Sequence, residues 1–279
     1  MLASAPGVFY IHEPLNPVFA PHYLGQENLP YYAHLPDQDA ASMHAAFDRL
    51  LSGRFPALDR RFFRFERRFV SRYLHAFTFR WARFRGKRFL LKDPFALFNV
   101  GWPEDHFGIR TVLLLRHPCA FVASLKVKDW AFDFTHWTSQ PRLLETFSAA
   151  EAAAVRRTAA QPPDLIDQGC LLWNCLTRRI ASLAAADPGR ILARHEDLCQ
   201  HPLDGFRRLF DHLDLSWTST SERFLKSEAG TGREPDSILH SWKKRLCPEE
   251  IRRVLNATAE LRERHYPYTP SNPRGRSAT

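Results

Sequence analysis

The stretch "TVLLLRHPCAFVAS", residues 111–124, decides the fold of this chain. Its first five residues form an uninterrupted apolar run, which is typical of a strand covered on both faces. The run ends at Arg116, and Pro118 then brings the fixed φ angle and the missing N–H that suit a first helical turn. We therefore predict a buried strand that passes directly into a helix, with Arg116 at the carboxyl end of the strand.

Three other apolar runs extend this pattern along the chain. They are "GVFYI" (7–11), "RFLLK" (88–92) and "RILAR" (190–194). Helical periodicity follows several of these runs, most clearly over 196–213. Strands that alternate with helices predict an α/β fold, in which a parallel sheet is flanked by helices.

Length and composition indicate a globular protein. A chain of 279 residues, 44% of them hydrophobic, can bury a substantial core. We expect a single domain over residues 1–265 and a disordered tail over residues 266–279, where Pro, Ser, Thr and Gly are frequent. No apolar run reaches the roughly 18 residues that a membrane-spanning helix needs.

The net charge indicates the class of partner, and the cysteine content indicates the cellular compartment. The net charge of +9 favours an anionic partner, such as a phosphate, a sulfate, a nucleic acid or an acidic lipid. Five cysteines without a CxxC pair predict reduced thiols and a cytoplasmic location. The histidines show no zinc-binding spacing, so we expect no metal.

Residues 57–84, "ALDRRFFRFERRFVSRYLHAFTFRWARF", predict one long amphipathic helix. An apolar stripe recurs at helical spacing and consists of Leu58, Phe62, Phe65, Phe69, Tyr73 and Phe77. We expect this stripe to pack in the core beneath a solvated basic face, because rings in a core cannot stack on bases. Binding of single-stranded nucleic acid and binding to a membrane surface remain as alternatives.

Arg116 and Ser124 suggest an anion site. Ligands of open α/β sheets bind beyond the carboxyl ends of the strands, where helix amino termini present N–H groups. A phosphate there would take two hydrogen bonds from the guanidinium and one from the Ser124 hydroxyl, provided that it lies along the helix. The spacing alone is equally compatible with an arginine paired to a carboxylate and a serine that only packs.

The element "LLLRHPCAFVASL" (113–125) resembles the part of sulfotransferases that holds the 3′-phosphate of the donor 3′-phosphoadenosine-5′-phosphosulfate. Both have an arginine that closes a strand, then His-Pro, then a serine eight positions after the arginine. Further blocks resemble bacterial sulfotransferase-domain proteins in the same order: "YIHEPLNP" (10–17), "LLKDPFALF" (90–98), "ARHEDLCQHPLDGFRRLF" (193–210) and "SWKKRLCPEEI" (241–251). The resemblance implies a P-loop-NTPase-like parallel sheet.

The resemblance also implies an activity, which is the transfer of a sulfuryl group to a hydroxyl or amine. The acceptor is then a polysaccharide, a lipid or a small molecule, and no nucleic acid partner is expected. Arg116 and Ser124 correspond to the nucleotide anchors, and Lys92 corresponds to the cation near the sulfuryl group. Glu13 corresponds to the base, with His12 and Asp93 as alternatives.

The carboxyl-terminal block implies further contacts with the donor. Trp242 and Lys243 resemble an element that closes over the nucleotide, and Arg233 and Ser237 just before it are candidate phosphate contacts. Another group resembles a structural signature, in which carboxylates at a helix start satisfy N–H groups. This group consists of Arg194, Glu196 and Asp197.

One part of the family pattern is missing. The family opens with a strand and a loop of the type Pro-Arg-Ser-Gly-Thr-Thr-Trp, which cradles the 5′-phosphosulfate. Neither this loop nor GxxxxGK[ST] occurs here, and "AGTGRE" (229–234) does not follow an apolar strand. We therefore expect a chain truncated at its amino terminus that lacks the first strand. The alternatives are a nucleotide-dependent, kinase-like P-loop protein and a nucleic-acid-binding protein that uses residues 57–84.

Overall fold

The computed structural model describes residues 1–53, 77–229 and 239–267. Within these ranges it contains the strands β1 (Val8–His12), β2 (Arg88–Lys92), β3 (Val112–Leu115) and β4 (Ile191–Arg194). Each strand lies within one residue of an apolar run in the sequence, so these four predicted strands are confirmed.

Helices make up most of the remaining described residues. The α-helices are α1 (Ala20–Tyr23), α2 (Ala40–Leu51), α3 (described over 77–84), α4 (Gly101–Phe107), α5 (Pro118–Val127), α6 (Thr135–Thr138), α7 (Pro141–Glu145), α8 (Ala149–Ala160), α9 (Leu165–Ala186), α10 (His195–Gln200), α11 (Pro202–His212), α12 (Ser219–Ala229), α13 (Pro248–Ala257) and α14 (Ala259–His265). Short 3₁₀ helices cover Leu2–Ser4, Leu35–Asp37, Pro94–Asn99 and Ser241–Lys244. None of the described helices is long and apolar enough to cross a membrane.

The strands form two parallel pairs. β1 pairs with β2, with His12 opposite Lys92, and β3 pairs with β4, with Leu115 opposite Arg194. Among the described residues these pairs are two separate sheets of two strands each. The predicted parallel α/β architecture is therefore confirmed in its coarse form, as a mixed α/β fold with two small parallel sheets. A single P-loop-NTPase-like sheet is not confirmed.

The predicted cover on both faces of every strand is wrong for part of the sheets. In β3, Leu113 and Leu115 are almost fully buried, but the side chain between them, Leu114, is 50% exposed. In β1, Tyr10 is likewise exposed. Successive side chains of a strand point to opposite faces, so one face of β1 and one face of β3 lack a complete cover in the described structure.

α5 is held in place by α9 and α13. α9 packs along α5 and against β3, and α13 packs against both helices. The contact is close at Gly169, where a Cβ atom would lie 3.2 Å from Val122 Cγ2 and 3.3 Å from Leu125 Cδ1. Trp242 and Leu246 complete the same apolar cluster, which fixes the segment Ser241–Lys244 beside α5.

The 3₁₀ helix Pro94–Asn99 links the two sheets. It follows β2 directly, and its buried Phe95 and Phe98 belong to a large aromatic core with Tyr32 and Trp137. Leu97 packs against the separate cluster that contains Leu113 and Leu115 of β3. The carboxyl end of β2 is therefore anchored to the body that carries β3.

Two predicted boundaries are corrected. The helix predicted over 196–213 is broken into α10 and α11 at His201, which has φ −125° and ψ 61°. The residue before a proline is driven out of the helical region by the proline ring, and Pro202 follows here. The predicted disordered tail begins too early, because Tyr266 is buried and packs beside Trp173 and Leu261. Residues 268–279 lie outside the described part.

The predicted helix over 57–84 is described only over 77–84, where the chain is helical. Phe77, which the sequence assigns to the buried stripe, is 65% exposed instead. Phe79 and Ala82 are the residues that bury. The remaining members of the predicted stripe lie outside the described residues.

Candidate functional site

The carboxyl ends of β1 and β2 bring the predicted catalytic residues together. Glu13 follows β1 directly, and its backbone N–H donates to the Lys92 carbonyl at 2.8 Å. The Lys92 Nζ donates to Glu13 Oε1 in an ion pair, and Asn16 Nδ2 donates to the other carboxylate oxygen at 2.8 Å. Glu13 has a φ of 48°, a left-handed conformation that is uncommon for a residue with a side chain. Glu13 is thus an ion-paired residue within a tight turn.

Two opposed effects set the protonation of Glu13. Burial raises the pKa of its carboxyl, but the hydrogen bonds from Lys92 and Asn16 outweigh it and hold the pKa below its ordinary value. His12 lies close by, with its Nε2 3.9 Å from Glu13 Oε1. The carboxylate is therefore charged at neutral pH and is held by its neighbours.

Asp93, the alternative base, has a structural position. The N–H of Leu15 donates to its Oδ2 at 2.6 Å, and the N–H of Phe95 donates to its Oδ1 at 3.0 Å. Burial raises the pKa of Asp93 to about 7, against the effect of these two bonds. Burial also raises the pKa of Tyr32, with the charges of Asp93 and Glu13 adding to it. Asp93 thus ties the turn after β1 to the start of Pro94–Asn99.

Arg116 lies where the sequence predicts it, between the end of β3 and the start of α5. Its backbone is fixed from two sides. The Arg116 carbonyl accepts a hydrogen bond from Trp173 Nε1 at 2.8 Å, and the next residue, His117, caps α5 by accepting the Cys119 N–H at its Nδ1. The backbone that carries the Arg116 side chain is therefore fixed at the amino terminus of α5.

The Arg116 side chain has no counter-ion within 4.0 Å among the described residues, and its Nε is buried without a hydrogen-bond partner. Burial lowers the pKa of the guanidinium, the charge of Glu196 opposes this, and Arg245 reinforces it. Leaving a buried donor unpaired costs free energy. An anion bound at this point would remove that cost.

Glu196 does not pair with Arg116, and two other hydrogen bonds hold its carboxylate. Its Oε1 accepts the His117 N–H at 2.9 Å, and its Oε2 accepts the Tyr266 hydroxyl at 3.0 Å. Asp197 pairs with Arg194, with 2.7 Å between Oδ2 and Nε. Both carboxylates lie in the first turn of α10, as predicted, and Glu196 satisfies an N–H group there, although that group belongs to His117 at the start of α5 and not to α10. They hold neighbouring elements in place.

Trp242 and Lys243 lie beside this end of β3. The Trp242 ring stacks on His117 with 5.6 Å between centroids and 15° between planes, and Lys243 Nζ lies 5.6 Å from the Trp242 centroid. Burial, Arg262 and His240 together lower the pKa of His117 to about 4, so its ring is neutral at pH 7. Trp242 is almost fully buried and forms the wall behind His117.

Three predicted site residues remain, which are Ser124, Arg233 and Ser237. Ser124 is partly buried on α5, about two turns after Arg116. Arg233 and Ser237 lie outside the described residues. In the part of the chain that the structure describes, no group of His, Cys, Asp or Glu is arranged to hold a metal ion.

Several residues that contribute to the candidate site are not predicted from the sequence patterns. Asn16, three residues after Glu13 in "HEPLNP", is the one with a local signal, because a side-chain amide at that spacing can reach back across a turn. Tyr32, Arg245 and Tyr266 give no such signal, since they reach the site only through the fold.

Comparison of the chain with family models, with curated proteins and with solved structures gives no match.

Proposed function

We propose that this protein is a sulfotransferase, which transfers a sulfuryl group from 3′-phosphoadenosine-5′-phosphosulfate to a hydroxyl or amine of an acceptor. The observation that carries the proposal is the unpaired Arg116 at the start of α5. A guanidinium in this position matches a phosphate in charge and in its fork of donors. The positive end of the α5 dipole and the nearby Arg245 favour the same anion.

The Glu13–Lys92 pair supplies the chemistry of transfer. Sulfuryl transfer resembles phosphoryl transfer, in that catalysis consists of positioning and of stabilising charge on the leaving group. Lys92 contributes the cation for the leaving oxygen, and Glu13 accepts the proton of the acceptor. When Lys92 turns towards the donor, Glu13 loses one of the hydrogen bonds that lower its pKa, while the effect of burial, which raises it, remains.

We also propose that the two small sheets belong to one P-loop-like parallel sheet. Within the described residues each strand has a single partner, so one edge of each strand is unpaired. Unpaired edges leave backbone N–H and C=O groups without partners. A further parallel strand between β2 and β3 would pair their free edges, and a loop after that strand would offer N–H groups to the 5′-phosphosulfate.

Calorimetric titration with adenosine 3′,5′-bisphosphate, the product nucleotide, tests the proposal. The wild-type chain should bind it, and Arg116→Ala should weaken binding by about a hundredfold, which corresponds to about 2.7 kcal/mol. Arg179→Ala is the matched control, because Arg179 is also partly buried with an unpartnered Nε but lies near Arg190. Its affinity should equal that of the wild type.

Two results would contradict the proposal. One is a folded wild-type protein that does not bind the nucleotide. The other is equal binding by the wild type and by Arg116→Ala. Transfer itself is then measured with sulfur-labelled donor and a panel of polysaccharide, lipid and small-alcohol acceptors.

A further inference from the structure

The described part of α3 carries an exposed stripe of aromatic rings. Phe77, Trp81 and Phe84 lie four and three residues apart, so they share one side of the helix. They are 65%, 50% and 81% exposed. Phe77 and Trp81 stack with 11° between their planes, and Trp81 and Phe84 with 30°. We call these three residues the aromatic stripe.

The opposite side of α3 is the one that holds it to the protein. Phe79 is fully buried, and its ring lies 4.8 Å from Phe9 of β1 and 5.4 Å from Phe89 of β2, measured between centroids. Ala82 is buried on the same side. Because this side already fixes α3 on the first sheet, the aromatic stripe is not needed for that packing.

Arginines flank the aromatic stripe. Arg80, Arg83 and Arg85 are exposed, and none of them lies within ion-pair range of a carboxylate among the described residues. The Arg85 guanidinium lies 5.5 Å from the Trp81 centroid. The chain as a whole carries a net charge of +9. The surface around the stripe therefore complements a partner that is both apolar and negatively charged.

Ring geometry distinguishes between two partners of this kind, which are single-stranded nucleic acid and an anionic lipid surface. Single-stranded nucleic acid binds by stacking bases on the faces of aromatic rings. Here neighbouring rings of the stripe lie with their centroids 6.4 Å and 5.8 Å apart, and the Arg85 guanidinium lies over Trp81. A base inserted between two rings needs about 7 Å, which is twice the contact distance between carbon atoms. An anionic lipid surface needs only apolar area, with cations at the level of the phosphates.

We propose that α3 docks on an anionic lipid surface, with the aromatic stripe inserted at the boundary of head groups and acyl chains. Arg80 and Arg85 contact the lipid phosphates on either side. This inference is independent of the sulfotransferase proposal, because it involves neither Arg116 nor the Glu13–Lys92 pair.

Vesicle flotation of the full chain tests the proposal. The wild type should float with vesicles of phosphatidylcholine and phosphatidylserine, and much less with phosphatidylcholine alone. The combined variant Phe77→Ser, Trp81→Ser and Phe84→Ser should lose roughly tenfold or more in partitioning. A control with Val127→Ser, Leu203→Ser and Phe224→Ser, which are exposed apolar residues elsewhere, should behave as the wild type. Arg80→Glu with Arg85→Glu should weaken binding to the anionic vesicles only.

Other results would overturn it. Absence of flotation by the wild type, or equal flotation by the serine variant of the stripe, excludes lipid docking through α3. Stripe-dependent binding of a single-stranded DNA oligonucleotide without vesicle binding would assign the stripe to nucleic acid. Stripe-dependent dimers in sedimentation, again without vesicle binding, would assign it to a second copy. Near-ultraviolet circular dichroism checks that each variant is folded.

Discussion

The two groups of candidate site residues, which lie at the carboxyl ends of different strand pairs, hold their cations in opposite ways. At the carboxyl ends of β1 and β2, Lys92 is paired with Glu13, and Asn16 holds the same carboxylate. At the carboxyl end of β3, Arg116 is left without a counter-ion in the described structure, although Glu196 is close enough to affect its pKa. The charge of Lys92 is therefore paired within the protein, whereas the charge of Arg116 is not paired among the described residues. We call the first the paired end and the second the unpaired end.

Under the proposed function, this difference gives the two cations different roles. A paired lysine is released only when a substrate competes for it, which suits a group that acts during transfer. An unpaired arginine on a rigid backbone is already oriented for an anion, which suits a group that binds the donor before any chemistry. The hydrogen bonds that the Glu196 carboxylate accepts from His117 and Tyr266 hold it in a position where it forms no ion pair with Arg116.

The largest effect is expected at the paired end. Lys92→Ala should lower the single-turnover rate of sulfuryl transfer by about a hundredfold to a thousandfold, because no cation then stabilises the leaving oxygen. Affinity for adenosine 3′,5′-bisphosphate should change little. Lys126→Ala is the matched control, because Lys126 forms a similar exposed pair with Glu250 away from β2. Equal rates for the two variants would remove Lys92 from the mechanism.

Asp93 should give the paired end a characteristic pH dependence. Its folded pKa of about 7 exceeds the ordinary aspartate value, so the folded state holds a proton that the unfolded state releases between about pH 4 and 7. Stability due to this group therefore falls as pH rises through that window, by about 4 kcal/mol. Urea unfolding of Asp93→Asn should lack this loss. Parallel pH curves for variant and wild type would show that Asp93 is not the cause.

At the unpaired end, Glu196→Gln should reduce the free energy of unfolding by about 2 kcal/mol. The carboxylate accepts charge-assisted hydrogen bonds from the His117 N–H and the Tyr266 hydroxyl, and an amide can accept at only one of its two positions. Asp197→Asn, which breaks the half-exposed pair with Arg194, should cost less. Chemical denaturation measures both, and the reverse order would show that Glu196 does not hold this end together.

Ser124→Ala should produce the smallest change. The loss of one hydrogen bond to the nucleotide reduces affinity by about fivefold, or about 1 kcal/mol. Cys119→Ala on the same helix serves as the control for altered packing, since Cys119 is fully buried. If calorimetry gives Ser124→Ala the wild-type affinity, the anion does not extend along α5.

The four strands and the position of Arg116 could be predicted because they depend on local patterns. An apolar run followed by Arg-His-Pro specifies a strand, its end and a helix start without reference to the rest of the chain. The Glu196–Tyr266 contact spans 70 residues and leaves no such pattern. The same is true of the number of sheets, which depends on which strand edges meet.

α3 shows a different limit of prediction from the sequence. Its periodicity correctly predicts a helix over 77–84, but aromatic residues occur on both sides of it. Phe79 can meet Phe9 and Phe89 in the core, whereas Phe77 and Trp81 point away. Spacing identifies residues that share a face and does not tell which face is buried.

The central claim is that Arg116 binds the 3′-phosphate of the donor. The direct test compares the affinities of adenosine 3′,5′-bisphosphate and adenosine 5′-monophosphate for the wild type and for Arg116→Leu. The account predicts that the 3′-phosphate adds about 2 kcal/mol of binding free energy in the wild type and almost none in the variant. The same ratio of affinities in both proteins would contradict it.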